Sequence, residues 1–283
     1  MTRIINNPHF KDSNLIDFSG NSEELLIQFD KWVSEKYLIN LNQIIAQSSY
    51  KITVRFFSYN GLWKDLTFLK PLTNVESLVL DEPFIETIEP IASLKKIKEL
   101  SIGQTSKNID LTPLRVLNLE NLTIEKSNKN LEILLNSTFL KNLNLWNINL
   151  NKKQCKILEK KHFENLTLNN VKAASYQFLG SIKVENKINL YRMNNLKTLD
   201  FLNNFKDIKE INLAHLNKIE RLFDFNNKEE LKIISMDGMK KLTDLSNINE
   251  AVHLKKIYLY NCPNIPLSQI KKILNFNLES DMH

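Results

Sequence analysis

Only five glycines and seven prolines occur in 283 residues. So few chain-breakers exclude long flexible linkers and a sandwich stitched together by Gly/Pro turns. Cysteine is scarcer still. Cys155 and Cys262 stand far apart with no partner residues at metal-ligand spacing, so they read as reduced thiols rather than a disulfide framework or a zinc site. Long apolar runs are also missing. No stretch approaches the roughly 18 consecutive apolar residues of a membrane span. The opening MTRIINNPHFKD lacks the uninterrupted apolar core of a signal peptide. The expectation is a cytoplasmic protein with no membrane partner.

Arginine is scarce as well. The formal charge is +6, but the excess is nearly all lysine, in groups such as Lys95–Lys96–Lys98, Lys152–Lys153 and Lys160–Lys161. Arginine, the better reader of bases and phosphates, stands only at Arg3, Arg55, Arg115, Arg192 and Arg221. Abundant Lys, Asn and Ile are what an AT-rich genome writes into any solvated surface. The charge is read as solvation, and no nucleic-acid partner is expected.

What is present is a repeat. The pattern L-x-x-L-x-L, with other apolar residues allowed for Leu, starts at Val75, Ile97, Leu119, Leu140, Phe163, Glu185 (weakest), Ile208, Leu231 and Leu254. Successive starts differ by 22, 22, 21, 23, 22, 23, 23 and 23 residues. In each match the last two apolar positions, such as Leu78 and Leu80, lie two apart, which gives one short strand with a buried face. The chain then turns back with apolar residues about three apart, as in Ile85, Ile88, Ile91, Leu94 and in Leu196, Leu199, Leu202, Phe205. A single repeat cannot close its own core, so neighbours must stack.

On these matches residues 75 to 262 resemble the leucine-rich-repeat superfamily, and the period and return resemble the short repeats of bacterial internalins. The resemblance implies an α/β leucine-rich-repeat solenoid, with a curved parallel β-sheet on the concave side and short helical turns on the convex side. Two convex segments, around Asn130–Leu140 and Lys152–Lys161, read as α-helical. The family's usual Asn, three residues after the last strand Leu, is replaced by Pro83, Thr105, Ser127, Ile148, Val171, Met193, Leu216, Met239 and Cys262. The secretion signal and wall anchor of internalins are not matched, so their adhesion role does not carry over.

Both ends read as helical caps, over 1–48 and 263–283, around an array over 49–262. Asn21-x-x-Glu24 resembles a capping box opening a helix through Lys36, with Leu25, Phe29, Trp32 and Val33 on one face. Leu38 to Ala46 is again apolar and would lie over the first repeat. A degenerate turn falls near Ile52–Phe57, its register open. Leu267, Ile270, Ile273 and Leu274 make the closing amphipathic helix.

Nothing in the pattern points to catalysis. His9, His162, His215, His253 and His283 share no metal-ligand spacing, and there is no Gly-rich phosphate loop or G-x-S-x-G. Some bacterial leucine-rich-repeat proteins resemble ubiquitin ligases, but those carry a separate catalytic domain after the repeats. About twenty residues follow Cys262. No metal, cofactor or small-molecule substrate is expected.

Counting the first apolar position of each match as zero, positions +2, +4 and +6 point outward from the concave sheet. The +4 column is mostly small and polar, and the +6 column is larger and more aromatic. The candidate partner-binding residues are Asp81, Glu99, Glu125, Trp146, Tyr191, Glu210, Asp237, Tyr258 and Tyr260. The aromatics are read as anchors and the acids as rim charges suited to a basic protein partner. The expected function is a non-enzymatic protein binder: a cytosolic binder or inhibitor such as a bacterial immunity protein, or alternatively an exported bacterial effector acting as an adaptor on host proteins.

Overall fold

The computed structural model describes residues 2–8, 24–226, 228–266, 268–269 and 279–282. The chain divides into two compact units, Met1–Leu140 and Lys141–His283.

In the first unit six strands, β1 (Thr2–Asn6), β2 (Glu24–Phe29), β3 (Lys51–Phe57), β4 (Ser77–Asp81), β5 (Glu99–Ile102) and β6 (Asn121–Glu125), each pair in parallel with the next. Alternation decides their faces: Leu78, Leu80, Leu100, Ile102, Leu122 and Ile124 are buried, and the residues between them are not. The returns are 3-10 turns, Glu89–Ser93 and Thr112–Val116, each opened by a proline whose missing N–H would be unpaired there anyway. Ile85, Ile88, Ile91 and Leu94 are buried as the spacing predicts. The carboxylate of Glu82 is enclosed, accepting from the Ser58 hydroxyl at 2.6 Å and from the N–H groups of Trp63 (3.1 Å) and Phe84 (2.9 Å).

The N-terminal segment corrects the sequence reading. Glu24–Phe29 is a strand, not the first turns of a helix, and Asn21 lies outside the described residues. Leu25 and Phe29 are four apart, a spacing that puts both on one face of a helix or of a strand. Ile27, buried between them, is compatible only with the strand, and ladder partners on both sides supply its hydrogen bonds. The helix comes later, as α1 (Glu35–Gln47), capped by the Ser34 side chain accepting from the Tyr37 N–H; Leu38, Leu41 and Ile44 are its buried face. Trp32, expected inward, is 63% exposed and stacks on the buried Trp63 at 5.5 Å. The open register near Ile52 resolves as Val54 beside Leu78 and Phe56 beside Leu80. The helix expected around Asn130–Leu140 contracts to α2 (Glu132–Leu135).

In the second unit the ladder runs β7 (Asn142–Trp146), β9 (His162–Asn169), β11 (Lys183–Tyr191), β12 (Glu210–Ala214), β13 (Ile233–Asp237), β14 (Lys256–Tyr260) and β15 (Glu279–Met282), all parallel. The two-residue strands β8 (Asn149–Leu150) and β10 (Lys172–Ala173) pair with each other. The weak match at Glu185 has a cause. β11 is bulged between Val184 and Lys187, so Val184, not Glu185, fills the first apolar position beside Phe163. Helix α3 (Lys152–Leu158) opens on a reciprocal capping box between Asn151 and Gln154. The closing helix expected at Leu267, Ile270, Ile273 and Leu274 falls outside the described residues apart from Ser268 and Gln269. Glu279–Met282, placed in that cap by the sequence reading, is a strand on β14.

A row of left-handed residues ends the strands of this unit. Asn147, Asn170, Arg192, His215, Gly238 and Asn261 have φ of 55°, 49°, 52°, 53°, 60° and 49°. From Asn147 to Gly238, each N–H donates at 2.8–2.9 Å to the +6 carbonyl of the next strand: Asn169, Tyr191, Ala214, Asp237 and Tyr260 in turn. This conformation turns the chain away from the sheet, and Asn and Gly tolerate it best. One residue further, Ile148, Val171, Met193, Leu216 and Met239 are buried where the superfamily places Asn. In the first unit the equivalent pair, Thr105 and Ser127, share a buried hydroxyl hydrogen bond at 2.8 Å. Parallel strands at this period, with apolar 3-10 returns, make the fold a leucine-rich-repeat solenoid.

Candidate partner-binding face

Strands β2–β7, β9 and β11–β14 bury alternate side chains in the core and turn the others outward. In the first unit the open face is charged, and its acids are already engaged. Asp81 accepts from Arg55 through Nε at 2.7 Å and Nη2 at 2.6 Å; the same guanidinium donates to Gln28 at 3.2 Å and lies 4.9 Å from the Phe57 ring centroid. Glu99 lies 2.7 Å from Lys51 and accepts from Ser77 at 3.0 Å and Asn121 at 2.8 Å. Burial works to lower the Lys51 ammonium, but Glu99 and Glu24 outweigh it and hold its pKa above the ordinary value. Glu125 is half-buried at the end of β6.

In the second unit the register sets two outward rows. The +6 row runs Trp146, Asn169, Tyr191, Ala214, Asp237, Tyr260, and the +4 row runs Asn144, Thr167, Asn189, Asn212, Ser235, Tyr258. The +4 amides bond along the stack: Asn212 to Asn189 at 2.7 Å and Asn189 to Thr167 at 2.8 Å. Glu210 lies 2.7 Å from Lys187 and accepts from Asn212. Burial works to raise its pKa, but hydrogen bonds from Lys187 and Asn212 and the Lys187 charge together lower it. Trp146 is 40% exposed. Tyr191 is half-buried, and burial, with the Glu210 charge, pushes its phenol up. The rings of Tyr258 and Tyr260 lie parallel within 6°, centroids 6.3 Å apart. Beside them Asp237 accepts from Asn261 at 3.1 Å and lies 3.8 Å from His215 Nε2.

The sequence-derived residues therefore do project from the strands as a face, but as two separate sets. Asp81, Glu99 and Glu125 belong to the first unit, and the other six to the second. Sequence reasoning missed the amide ladder and the left-handed row. Recurrent Asn at +4, and Asn, His or Gly at +7, were the available signals.

The groups considered for chemistry have structural environments. Burial, helped by Glu159, pushes the Cys155 thiol up, and burial does the same to Cys262, whose Sγ donates to the Tyr260 carbonyl at 3.2 Å. Reactive cysteines require the opposite shift. His162 pairs with Glu185 at 2.8 Å. Among the described residues no three His, Cys, Asp or Glu side chains gather as a metal site would need, and no helix is long and apolar enough to cross a membrane.

No protein-family model matches the chain, and no curated protein matches it in sequence. Solved structures do. An internalin (inlF) from Listeria monocytogenes matches at 15% identity over 93% of this chain and 76% of that one, with a TM-score of 0.45. Internalin C2 (inlC2) from the same organism matches at 18% identity over 74% and 68%, with a TM-score of 0.26. The Drosophila Toll–Spatzle complex matches at 14% identity and a TM-score of 0.47, covering 92% of this chain but 36% of that one. At these identities the likeness concerns the fold alone.

Proposed function

We propose that the protein is a non-enzymatic scaffold that binds a protein partner through the open face of its strands. It acts in the cytoplasm as a binder that sequesters or inhibits that partner, as a bacterial immunity protein does its toxin. The observation that carries this reading is the outward placement of Trp146, Tyr191, Tyr258 and Tyr260 on strands whose opposite face is consumed by the core. Large, rigid aromatics on a regular scaffold are the usual anchors of protein interfaces.

The test is capture of partners from native lysate by wild-type protein, Trp146→Ala, a Tyr258→Ala/Tyr260→Ala variant and a Lys152→Glu/Lys153→Glu variant. The two lysines are exposed on α3, away from the strands. Each aromatic truncation should cost about 2 kcal/mol or more in calorimetry against the partner, and the lysine changes almost nothing. Binding lost with the lysines and kept without the aromatics would overturn the reading. Cell fractionation tests the cytoplasmic placement.

A further inference from the structure

The acids of the open face are not equivalent. Asp81 is held by Arg55 at 2.6 Å, Glu99 by Lys51 at 2.7 Å and Glu210 by Lys187 at 2.7 Å. A partner's cation would have to displace a resident one at each. Asp237 differs: its near neighbour is the imidazole of His215, whose Nε2 lies 3.8 Å from Oδ2, beyond hydrogen-bond length, and its Oδ1 is held by the neutral Asn261 amide.

What surrounds Asp237 is also different. On one side in the +6 row stands Tyr260, paired with it in register, and Tyr258 lies parallel to Tyr260 on the same strand. On the other side is Ala214, and the preceding outward residue on β13 is Ser235. A carboxylate is thus bordered by two tyrosines of the next strand on one flank and by small residues on the other. A planar cation can stack on a tyrosine face while it donates to the adjacent carboxylate.

We propose that Asp237, Tyr258 and Tyr260 form the seat for an arginine side chain presented by the protein partner, with Ala214 and Ser235 leaving the room it occupies. Arginine fits better than lysine because its flat guanidinium can stack and donate in a fork at once, whereas an ammonium is a point donor. The inference rests on the open-face reading and adds the chemistry of one contact within it.

The probe is N-acetyl-arginine-N-methylamide, titrated at neutral pH into isotope-labelled full-length protein and followed by amide chemical shifts. The lysine and citrulline analogues are the comparators, citrulline keeping the shape and losing the charge. Saturable shifts should gather at Ser235, Asp237, Gly238 and Tyr260. They should be weaker with lysine and absent with citrulline. Asp237→Asn keeps the side-chain shape and should lower affinity at least about tenfold; Tyr260→Ala should lower it less, and Glu159→Gln, an exposed acid at the end of α3, not at all. Unchanged melting of each variant shows that the loss is local. Shifts scattered over the surface, equal shifts with citrulline, or full affinity in Asp237→Asn would overturn the seat. If the probe fails there while Trp146→Ala still abolishes partner capture, the seat falls and the open-face reading stands. If partner capture maps to α3, the reading itself falls.

Discussion

Asn212 donates from its side-chain amide to the Oδ1 of Asn189 across adjacent strands at 2.7 Å, and Asn189 donates onward to Thr167. The open face of the second unit is therefore laced by its own side chains. Asn189→Ala breaks two of these bonds in half-exposed surroundings. It should lower stability by about 1–2 kcal/mol, read as a lower denaturant midpoint at unchanged slope. An unchanged midpoint would mean the amides are better served by water.

Gly238 is held at φ +60°, and a Cβ there would lie 2.2 Å from Nδ1 of His215. Gly238→Ala meets two costs, the left-handed backbone at about 1 kcal/mol and the clash with the ring. Adding His215→Ala should recover the second and leave the first. Equal denaturation curves for the single and double variants would show that the ring simply swings aside.

Glu82 is 1% exposed and holds the Ser58 hydroxyl and the N–H groups of Trp63 and Phe84. Glu82→Ala strands the buried N–H of Trp63 and the part-buried N–H of Phe84 and should cost roughly 2 kcal/mol or more. Glu82→Gln keeps one acceptor oxygen and should cost less. Thermal unfolding of the pair checks the order, and the reverse order would place the burden on packing rather than hydrogen bonding.

Lys228 is 5% exposed, and its ammonium donates to the Asn203 carbonyl at 3.1 Å. Burial lowers its pKa to about 8 from the ordinary 10.5, with Asp224 opposing and Lys206 reinforcing the shift. The folded chain therefore sheds this proton before the unfolded chain does, and the lysine's contribution to stability rises with pH between about 8 and 10.5. Lys228→Met removes the buried charge and should be the more stable protein at pH 7, by an amount on the order of 2 kcal/mol. That advantage should shrink through the same pH window in paired denaturation series. A gap that is constant with pH would mean the lysine is solvated.

The repeats from Val75 onward were legible because each strand and return repeats one spacing, and the buried columns confirm it. The N-terminal strands were not, because Leu25 and Phe29 satisfy two periods at once and the ladder partners that decide between them lie 20 or more residues away. The candidate face was legible as a set of outward positions. The pairing of its acids was not. Arg55 reaches Asp81 only through the β3–β4 register, which the sequence left open at Ile52.

From Asn147 to Asn261 the left-handed residues recur after 23, 22, 23, 23 and 23 residues. A residue added between an outward +2 position and the left-handed turn would throw every following side chain of that strand to the opposite face. One added in the return, or at a bulge such as that before Lys187, changes only the path back, at a small loop-closure cost. A cassette cut from one return to the next therefore carries three outward side chains and its own turn as a transferable module. Recombination between repeats, in a genome or at the bench, can rewrite the outward side chains one strand at a time without re-solving the core.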